Sequence, residues 1–229
     1  MIERDARRRK PGPEAVPLDP LLSAAAEVFA EQGFADATVA AIATRGNTTK
    51  PTLYKHFSDK ATLYERCLER EFEHARQHLF AAYGRAEDLT IDDEVAADVA
   101  AFFDYAAARP HGFRLIVEMR DAGPPSDLRD RFNEAIVSRV ADRMGAVAGV
   151  DPEAPAIRQL AAMVVGASVY AARESLLVSG VDPAEAIAIA ARFIAGGLRA
   201  LMESAPNPAV SPSTPSAPSD PSAHEGLER

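Results

Sequence analysis

The sequence predicts an all-α protein, and three observations support that prediction. Apolar residues recur at three- and four-residue spacing through most of the 229 residues, which is the period of an amphipathic helix. No strand-like alternation of useful length occurs, and no unit repeats at a fixed period. Hydrophobic residues make up 47% of the chain, which is enough to bury the cores of one or two small domains.

Three short helices are predicted near the start of the chain. Helix 19–32 ends before Gly33, a residue type common just beyond helix C-termini. A second helix of about seven residues follows Thr38, a predicted N-cap. A third begins at residues 48–49 with Pro51 in its first turn, where a missing N–H costs little. Two short helices joined by a tight turn and braced by a third are typical of a helix-turn-helix, whose second helix enters the DNA major groove.

Longer helices are predicted after this motif. Ser58 is the expected N-cap of the first, which spans residues 59–83, and the others span residues 91–108, 111–121, 125–147, 153–178 and 183–203. Six prolines and six serines in the 26 residues from 204 to 229 predict a tail that buries no core. The expected organisation is a basic arm (1–17), a helix-turn-helix domain (18–64), a ligand-binding and dimerisation domain (65–203) and the tail (204–229).

The charge is distributed unevenly. Residues 1–70 contain 11 basic and 10 acidic side chains, whereas residues 71–229 contain 14 basic and 24 acidic side chains. The arm is a candidate for phosphate contact or a solubilising tail, and both interpretations stay open. Four basic residues within 16 positions of the motif are opposed only by an aspartate, which suits the phosphate backbone of DNA. These four are Arg45, Lys50, Lys55 and Lys60.

A specific residue pattern extends from Leu21 to Leu68. Its elements are Phe29, Gly33-Phe34, Thr38, Ile42-Ala43, the run Thr-Leu-Tyr-Lys-His-Phe at 52–57, and Lys60. This run is similar to the DNA-binding domain of the TetR family of one-component transcriptional regulators. The turn departs from the usual Ala-Gly-Val-Ser, because the sequence there is Gly46-Asn47-Thr48-Thr49. Asparagine tolerates the left-handed conformation that this turn needs, so the departure leaves the fold intact but transfers no base preference.

The resemblance implies a double-stranded DNA operator as partner and a set of DNA-binding residues. The set comprises Thr38, Tyr54 and Lys60 on phosphates, Thr48, Lys50, Pro51 and Thr52 facing base edges, Lys55 and His56 on either backbone or bases, and the cap residue Thr49. Phosphate contacts provide affinity without sequence information, whereas base contacts provide specificity.

Two C-terminal segments predict a homodimer. Residues 160–172 contain no charge, and residues 186–198 contain only Arg192. Helices that are apolar nearly all round must be buried, either within one chain or against another. The resemblance implies that the last two helices of each subunit form a four-helix bundle.

The middle helices are expected to enclose a cavity for a small-molecule effector. Candidate lining residues are Phe102, Phe103, Tyr105, Phe113, Ile116, Met119, Met163 and Tyr170, with core packing as the alternative for each. Candidate partners for an anionic group are Arg109, Arg114, Arg120 and Arg173. The segment 102–118 is similar to that of family members that answer acyl thioesters. The expected function is a repressor released from a palindromic operator by a largely apolar, acyl-type effector.

Two alternatives keep the same fold but change the signal. His74 and His78, with Glu71, are spaced for a metal sensor or for a solvated helix face. Cys67 is either a redox sensor or a buried inert thiol, and its place on an apolar stripe favours burial.

The sequence predicts neither an enzyme nor a cofactor. It contains no Walker loop, GxGxxG, GxSxG or HExxH motif. A helical protein-binding adaptor is the remaining alternative, and the basic third helix argues against it. The N-terminus has no apolar signal-peptide core, and no uninterrupted apolar run reaches about 18 residues, so a cytoplasmic protein without a membrane span is expected.

Overall fold

The computed structural model describes residues 18–83, 90–118 and 126–204, and within these ranges the chain is helical with no strand. The all-α prediction is confirmed. The helices are α1 (Leu18–Asp36), α2 (Val39–Arg45), α3 (Lys50–His56), α4 (Lys60–Tyr83), α5 (Ile91–Ala108), α6 (Pro110–Val117), α7 (Ser126–Ala148), α8 (Pro155–Arg173) and α9 (Pro183–Ser204), with a π-helical turn at Glu174–Ser179. The arm, nearly all of the tail, Met119 and Arg120 lie outside the described residues.

The first three helices pack around a core of their own with the start of α4. Buried side chains from each helix meet there, including Phe29, Ile42, Leu53 and Leu63. Gly33 has φ 76° and interrupts the helical geometry inside α1. This agrees with the prediction that the regular helix ends before Gly33. The chain can therefore turn from α1 into α2 while both remain on one core.

Helix α4 extends through the predicted domain boundary at residues 64–65. Leu68 and Phe72 belong to the first core, whereas Ala75 and Leu79, further along, belong to a second core. The predicted N-cap is wrong, because the Thr62 amide donates to Asp59 Oδ1 at 2.8 Å, while the Ser58 hydroxyl bonds the Asp59 and Thr62 side chains. One rigid helix thus connects the two cores.

The second core lies between α5, α7, α8 and α9 and is built from side chains such as Val99, Phe102, Ile136 and Ala161. Short α6 lies between the two cores. Its Phe113 packs in the second core, whereas its Leu115 packs in the first. A movement of α6 therefore affects both cores.

The predicted helix 153–178 is interrupted. Helix α8 ends at Arg173, and Glu174–Ser179 continue as a π-helical turn that Gly180, at φ 68°, terminates. By length and apolar composition the stretch Pro155–Ser179 could cross a membrane, contrary to the expectation from uninterrupted apolar runs. The core helix of a soluble protein passes the same test, so this is weak evidence for a membrane span, and the stretch packs against α5, α7 and α9.

Candidate DNA-binding surface and effector cavity

Helices α2 and α3 form the predicted helix-turn-helix. The Thr38 hydroxyl accepts a hydrogen bond from the Ala41 amide at 3.1 Å, and the Thr49 hydroxyl accepts one from the Thr52 amide at 3.3 Å. Both helices therefore begin at side-chain N-caps, as the sequence predicts. Asn47 has φ 46°, the left-handed conformation that the tight turn between the helices requires.

Helix α3 has one buried and one open face. Leu53 is buried, and Phe57, just past the helix end, is buried beside it. Lys50, Tyr54 and Lys55 are exposed to solvent, and 51% of Tyr54 is accessible. This arrangement is what a helix needs to enter a groove while its back face holds it to the domain.

The structure places most of the predicted DNA-binding side chains on the outside of this unit. Exposed members are Thr38, Thr49, Lys50, Pro51, Tyr54, Lys55 and His56, whereas Thr48, Thr52 and Lys60 are half-buried. The hydroxyls of Thr49 and Thr52 lie 2.9 Å apart and bond each other. Their DNA-contacting roles remain predictions.

Arg45 does not belong to the open basic cluster in which the sequence placed it. Its guanidinium lies 2.9 Å from Glu27 and 2.9 Å from Glu31, both on α1. These carboxylates raise the pKa of Arg45 above its usual value, with the Glu31 hydrogen bond as the main cause. Arg45 thus fastens α2 to α1, and its charge is compensated.

Lys60 is engaged inside the protein, and its predicted role as a phosphate contact stays a prediction. Its ammonium donates to the backbone carbonyls of Phe34, Ala35 and Ala37 at 2.7, 3.1 and 3.0 Å. These acceptors lie at the end of α1, where the last carbonyls have no partner within the helix. An ammonium has three donors, so all three are used here. Lys60 therefore joins the start of α4 to the end of α1.

A cavity of about 560 Å³ opens beside the second core. Its walls come from five helices and are mostly apolar and aromatic, with a stacked pair of Phe72 and Phe132 whose ring centroids lie 4.6 Å apart. The polar side chains lining it are Tyr105, Arg129, Asn133, Tyr170 and Arg173. An apolar hollow with a few polar groups is the usual form of a small-molecule site.

Five of the predicted effector-contacting residues line this cavity. Phe102, Tyr105, Phe113, Ile116 and Tyr170 line the cavity, although Tyr170 is largely exposed at its edge. Two other predicted residues do not line it: Phe103 is buried in the second core, and 60% of Met163 is exposed on α8. Met119 and Arg120 lie outside the described residues. The sequence analysis did not predict that residues of α4 and α7 line the cavity. Helical periodicity identifies a buried face but does not show whether that face meets a core or a cavity.

Arg109 and Arg114 do not line the cavity either. Arg109 Nε and Nη2 lie 2.8 and 2.7 Å from the two carboxylate oxygens of Glu71, which is 1% exposed. This hydrogen bond raises the pKa of Arg109. Arg114 pairs with Glu118 one helical turn along. Three of the four predicted anion partners lie within the described residues, and Arg173 is the one of these three that lines the cavity.

A second, smaller cavity of about 260 Å³ lies between α5, α7, α8 and α9. Its lining is apolar apart from a cluster in which Arg143 pairs with Glu94 and Asp98. Burial raises the pKa of Asp98 to about 6, although Arg143 opposes the shift. This cavity does not touch α4 or α6 among the described residues.

Helices α8 and α9 leave an apolar face uncovered in the single chain. Large apolar side chains project from it, including Met163, Tyr170, Ile189 and Phe193, the last of which is 76% exposed. A Cβ added at Gly166, Gly196 or Gly197 would meet nothing within 4 Å. The face thus combines bulky apolar side chains with positions where another backbone can approach closely.

The two alternative sensor sites have different outcomes. Cys67 is fully buried, and burial raises the pKa of its thiol, which fits the inert reading. Glu71 is not on a solvated helix face, because both of its oxygens bond arginines. No group of three or more potential metal ligands was found among the described residues.

These features define a class: an all-α protein with an exposed helix-turn-helix and a helical domain that contains a cavity. Comparison with known proteins identifies the family. Residues 21–67 match the family model for bacterial regulatory proteins of the tetR family. The HTH-type transcriptional activator FasR of Mycolicibacterium smegmatis (strain ATCC 700084 / mc(2)155) is 34% identical over 157 residues, 67% of this chain and 69% of FasR. The chain belongs to the TetR family and is a DNA-binding transcriptional regulator, not an enzyme.

Solved structures share the fold. The fatty acid degradation regulator FadR of Bacillus halodurans has TM-score 0.66 and 18% identity, and the match covers 80% of this chain and 100% of that one. FadR of Bacillus subtilis, solved in complex with stearoyl-CoA, has TM-score 0.61 and 15% identity over 80% of this chain and 97% of that one. At these identities the likeness shows the fold alone.

Proposed function

We propose that this regulator binds a palindromic operator in the cytoplasm as a homodimer and that a fatty acyl thioester in the 560 Å³ cavity lowers its affinity for DNA. The main supporting observation is the position of α4 and α6. Each helix lines the cavity with one set of side chains and packs in the DNA-binding core with another, as Phe113 and Leu115 do on α6. A cavity ligand therefore has a direct mechanical route to α1–α3.

For the DNA complex, we propose that α3 enters the major groove with Lys50, Pro51, Thr52 and Thr48 toward the bases. Tyr54 and Thr38 then face phosphates, with Lys55 and His56 beside them. The exposure of Lys50, Tyr54 and Lys55 supports this arrangement. Lys60 is left out of the contact set, because its three donors already bond carbonyl oxygens.

For the dimer, we propose that the uncovered face of α8 and α9 packs against its copy. Burying several large apolar side chains stabilises association at roughly 25 cal/mol per Å² of apolar surface. Pairing two recognition units in this way places two half-sites about 34–36 Å apart, or a multiple of this spacing.

For the effector, the chemistry of the cavity favours an apolar chain with an anionic head. Aromatic and aliphatic side chains cover its walls, and Arg129 and Arg173 add positive charge. Arginine is well suited to phosphate because its donors form a planar fork. The two FadR regulators support the same ligand class, as does the stearoyl-CoA bound to one of them. The metal and redox alternatives lack a described ligand cluster and an accessible thiol.

For the sign of regulation, we propose repression that the effector relieves. A ligand shifts the equilibrium only as far as its affinities for the two conformers differ, and 1–3 kcal/mol is a typical coupling, roughly 5–150-fold in affinity. FasR is named an activator. Dissociation of an activator from DNA lowers transcription, whereas dissociation of a repressor raises it, so the sign needs its own test.

The test is a titration of the full chain on a duplex selected by the wild-type protein from random sequences. Stearoyl-CoA should lower operator affinity, whereas coenzyme A alone should not. A promoter–reporter strain then measures the sign: deletion of the gene should raise expression. No change of affinity with stearoyl-CoA would contradict the effector class, and lower expression after deletion would contradict repression.

A further inference from the structure

A buried ionic network lies between the cavity and the DNA-binding helices. Glu71, on α4, accepts two hydrogen bonds from Arg109 at the α5–α6 corner and a third from Arg70 at 2.8 Å. Arg70 also donates to Asp19 and Ser23 on α1, at 2.7 and 2.8 Å. One carboxylate is thus linked to α1, α4 and the beginning of α6.

The packing around this carboxylate is tight. A Cβ built on Gly112 of α6 would lie 2.1 Å from Glu71 Oε2, so α6 rests directly on the carboxylate. The Tyr105 hydroxyl donates to the Glu71 backbone carbonyl at 3.2 Å. Tyr105 also lines the cavity, as does Phe113, the residue after Gly112. The network therefore touches the cavity wall on one side and α1 on the other.

A buried ion pair contributes little net stability compared with apolar packing, but its geometry is demanding. Two oxygens fixed by the guanidinium of Arg109 hold α6 at one distance and one angle from α4. Arg70 transfers that position to α1 through two further side chains. If a ligand moves α6, the network must move with it or break.

We propose that the Arg70–Glu71–Arg109 network couples the cavity to the orientation of the DNA-binding helices. Glu71 and Arg109 are positioning residues that contact neither DNA nor effector. This inference rests on the proposed function for its biological meaning, but it is testable without an effector.

The experiment replaces the ligand by a cavity-filling variant. Val169, on α8, lines the cavity and takes no part in the network's hydrogen bonds, so Val169→Phe imitates occupancy. Operator affinity is measured for wild type and Val169→Phe, each alone and combined with Glu71→Gln. Glu73→Gln, which breaks an exposed pair with Arg76 on the same helix, is the matched control background. Circular dichroism and sedimentation check that each variant is folded and keeps the wild-type assembly state.

We expect Val169→Phe to lower operator affinity at least about fivefold in the wild-type and Glu73→Gln backgrounds, and less than about twofold in the Glu71→Gln background. Arg109→Lys, which keeps the charge but loses the fork, should behave like Glu71→Gln and replaces it if that variant does not fold. An equal shift in all backgrounds, or no shift in wild type, would overturn the inference. A stearoyl-CoA titration of the same proteins separates the claims. If Val169→Phe lowers operator affinity through Glu71 while stearoyl-CoA leaves the affinity unchanged, the result supports the network and contradicts the proposed effector.

Discussion

Lys60 Nζ lies 2.7 Å from the carbonyl oxygen of Phe34 and 4.6 Å from the centre of its ring. The ammonium therefore interacts with both the backbone carbonyl and the aromatic ring of Phe34. A lysine for which the family resemblance implies a phosphate contact here joins α4 to α1. This contact fastens the start of α4 to the end of α1, the helix that braces the helix-turn-helix.

Lys60→Ala should lower the free energy of unfolding by about 2 kcal/mol, because it leaves helix-end carbonyls without a charged donor. Lys50→Ala, on the open face of α3, should leave stability within about 0.5 kcal/mol of wild type but weaken operator binding about tenfold. Denaturant unfolding and fluorescence anisotropy on both variants measure the contrast. Wild-type stability for Lys60→Ala, together with weaker DNA binding, would return Lys60 to the DNA-contacting set.

Gly112→Ala should destabilise the protein by about 2 kcal/mol, because its Cβ would overlap the Glu71 carboxylate. The same substitution in a Glu71→Ala background should be nearly neutral, since the obstructing side chain is gone. A double-mutant cycle of thermal unfolding measures the difference. Equal losses in both backgrounds would show that α6 does not rest on Glu71.

Phe193→Glu should produce a monomer, because it places a charge on the uncovered apolar face of α9. Operator binding should be lost with the dimer, since a single unit reads one half-site. Ala107→Glu, which adds the same charge at an exposed position on α5, is the matched control. Analytical ultracentrifugation at micromolar concentration measures the oligomeric state of both variants. A dimeric Phe193→Glu protein would contradict the proposal that this face forms the dimer interface.

Asp98 should make stability depend on pH. Burial raises its folded pKa from the ordinary aspartate value of 3.8 to about 6, so the folded state binds the proton more tightly. Stability therefore falls as pH rises through this window. Asp98→Asn should therefore gain about 3 kcal/mol relative to wild type between pH 3 and 8, at roughly 1.4 kcal/mol per pKa unit. Unfolding curves across this range provide the test. A stability difference that is constant with pH, or that shrinks as pH rises, would contradict the assigned shift.

Local sequence rules predicted the elements well. The cap Thr38, the breaks at Gly33 and Asn47, and most helix bounds follow from short-range chemistry that one residue and its neighbours determine. The family motif at residues 21–68 led to the same unit by resemblance.

Contacts between distant residues could not be predicted in this way. Arg109 reaches Glu71 across 38 positions, and Lys60 reaches the end of α1, so neither pairing leaves a periodic signal. Met163 was assigned to the cavity because apolar periodicity does not distinguish a cavity wall from an exposed apolar face. A lone glycine such as Gly112 likewise gives no sign of the carboxylate against which it packs.

The most direct test of the central claim is an anisotropy titration of the full chain on its selected duplex, with and without saturating stearoyl-CoA. The proposed function predicts one dimer per palindrome, an affinity that falls steeply with added salt, and a further loss of about 5–150-fold with stearoyl-CoA. Binding of a monomer, or an affinity indifferent to both salt and the acyl thioester, would contradict it.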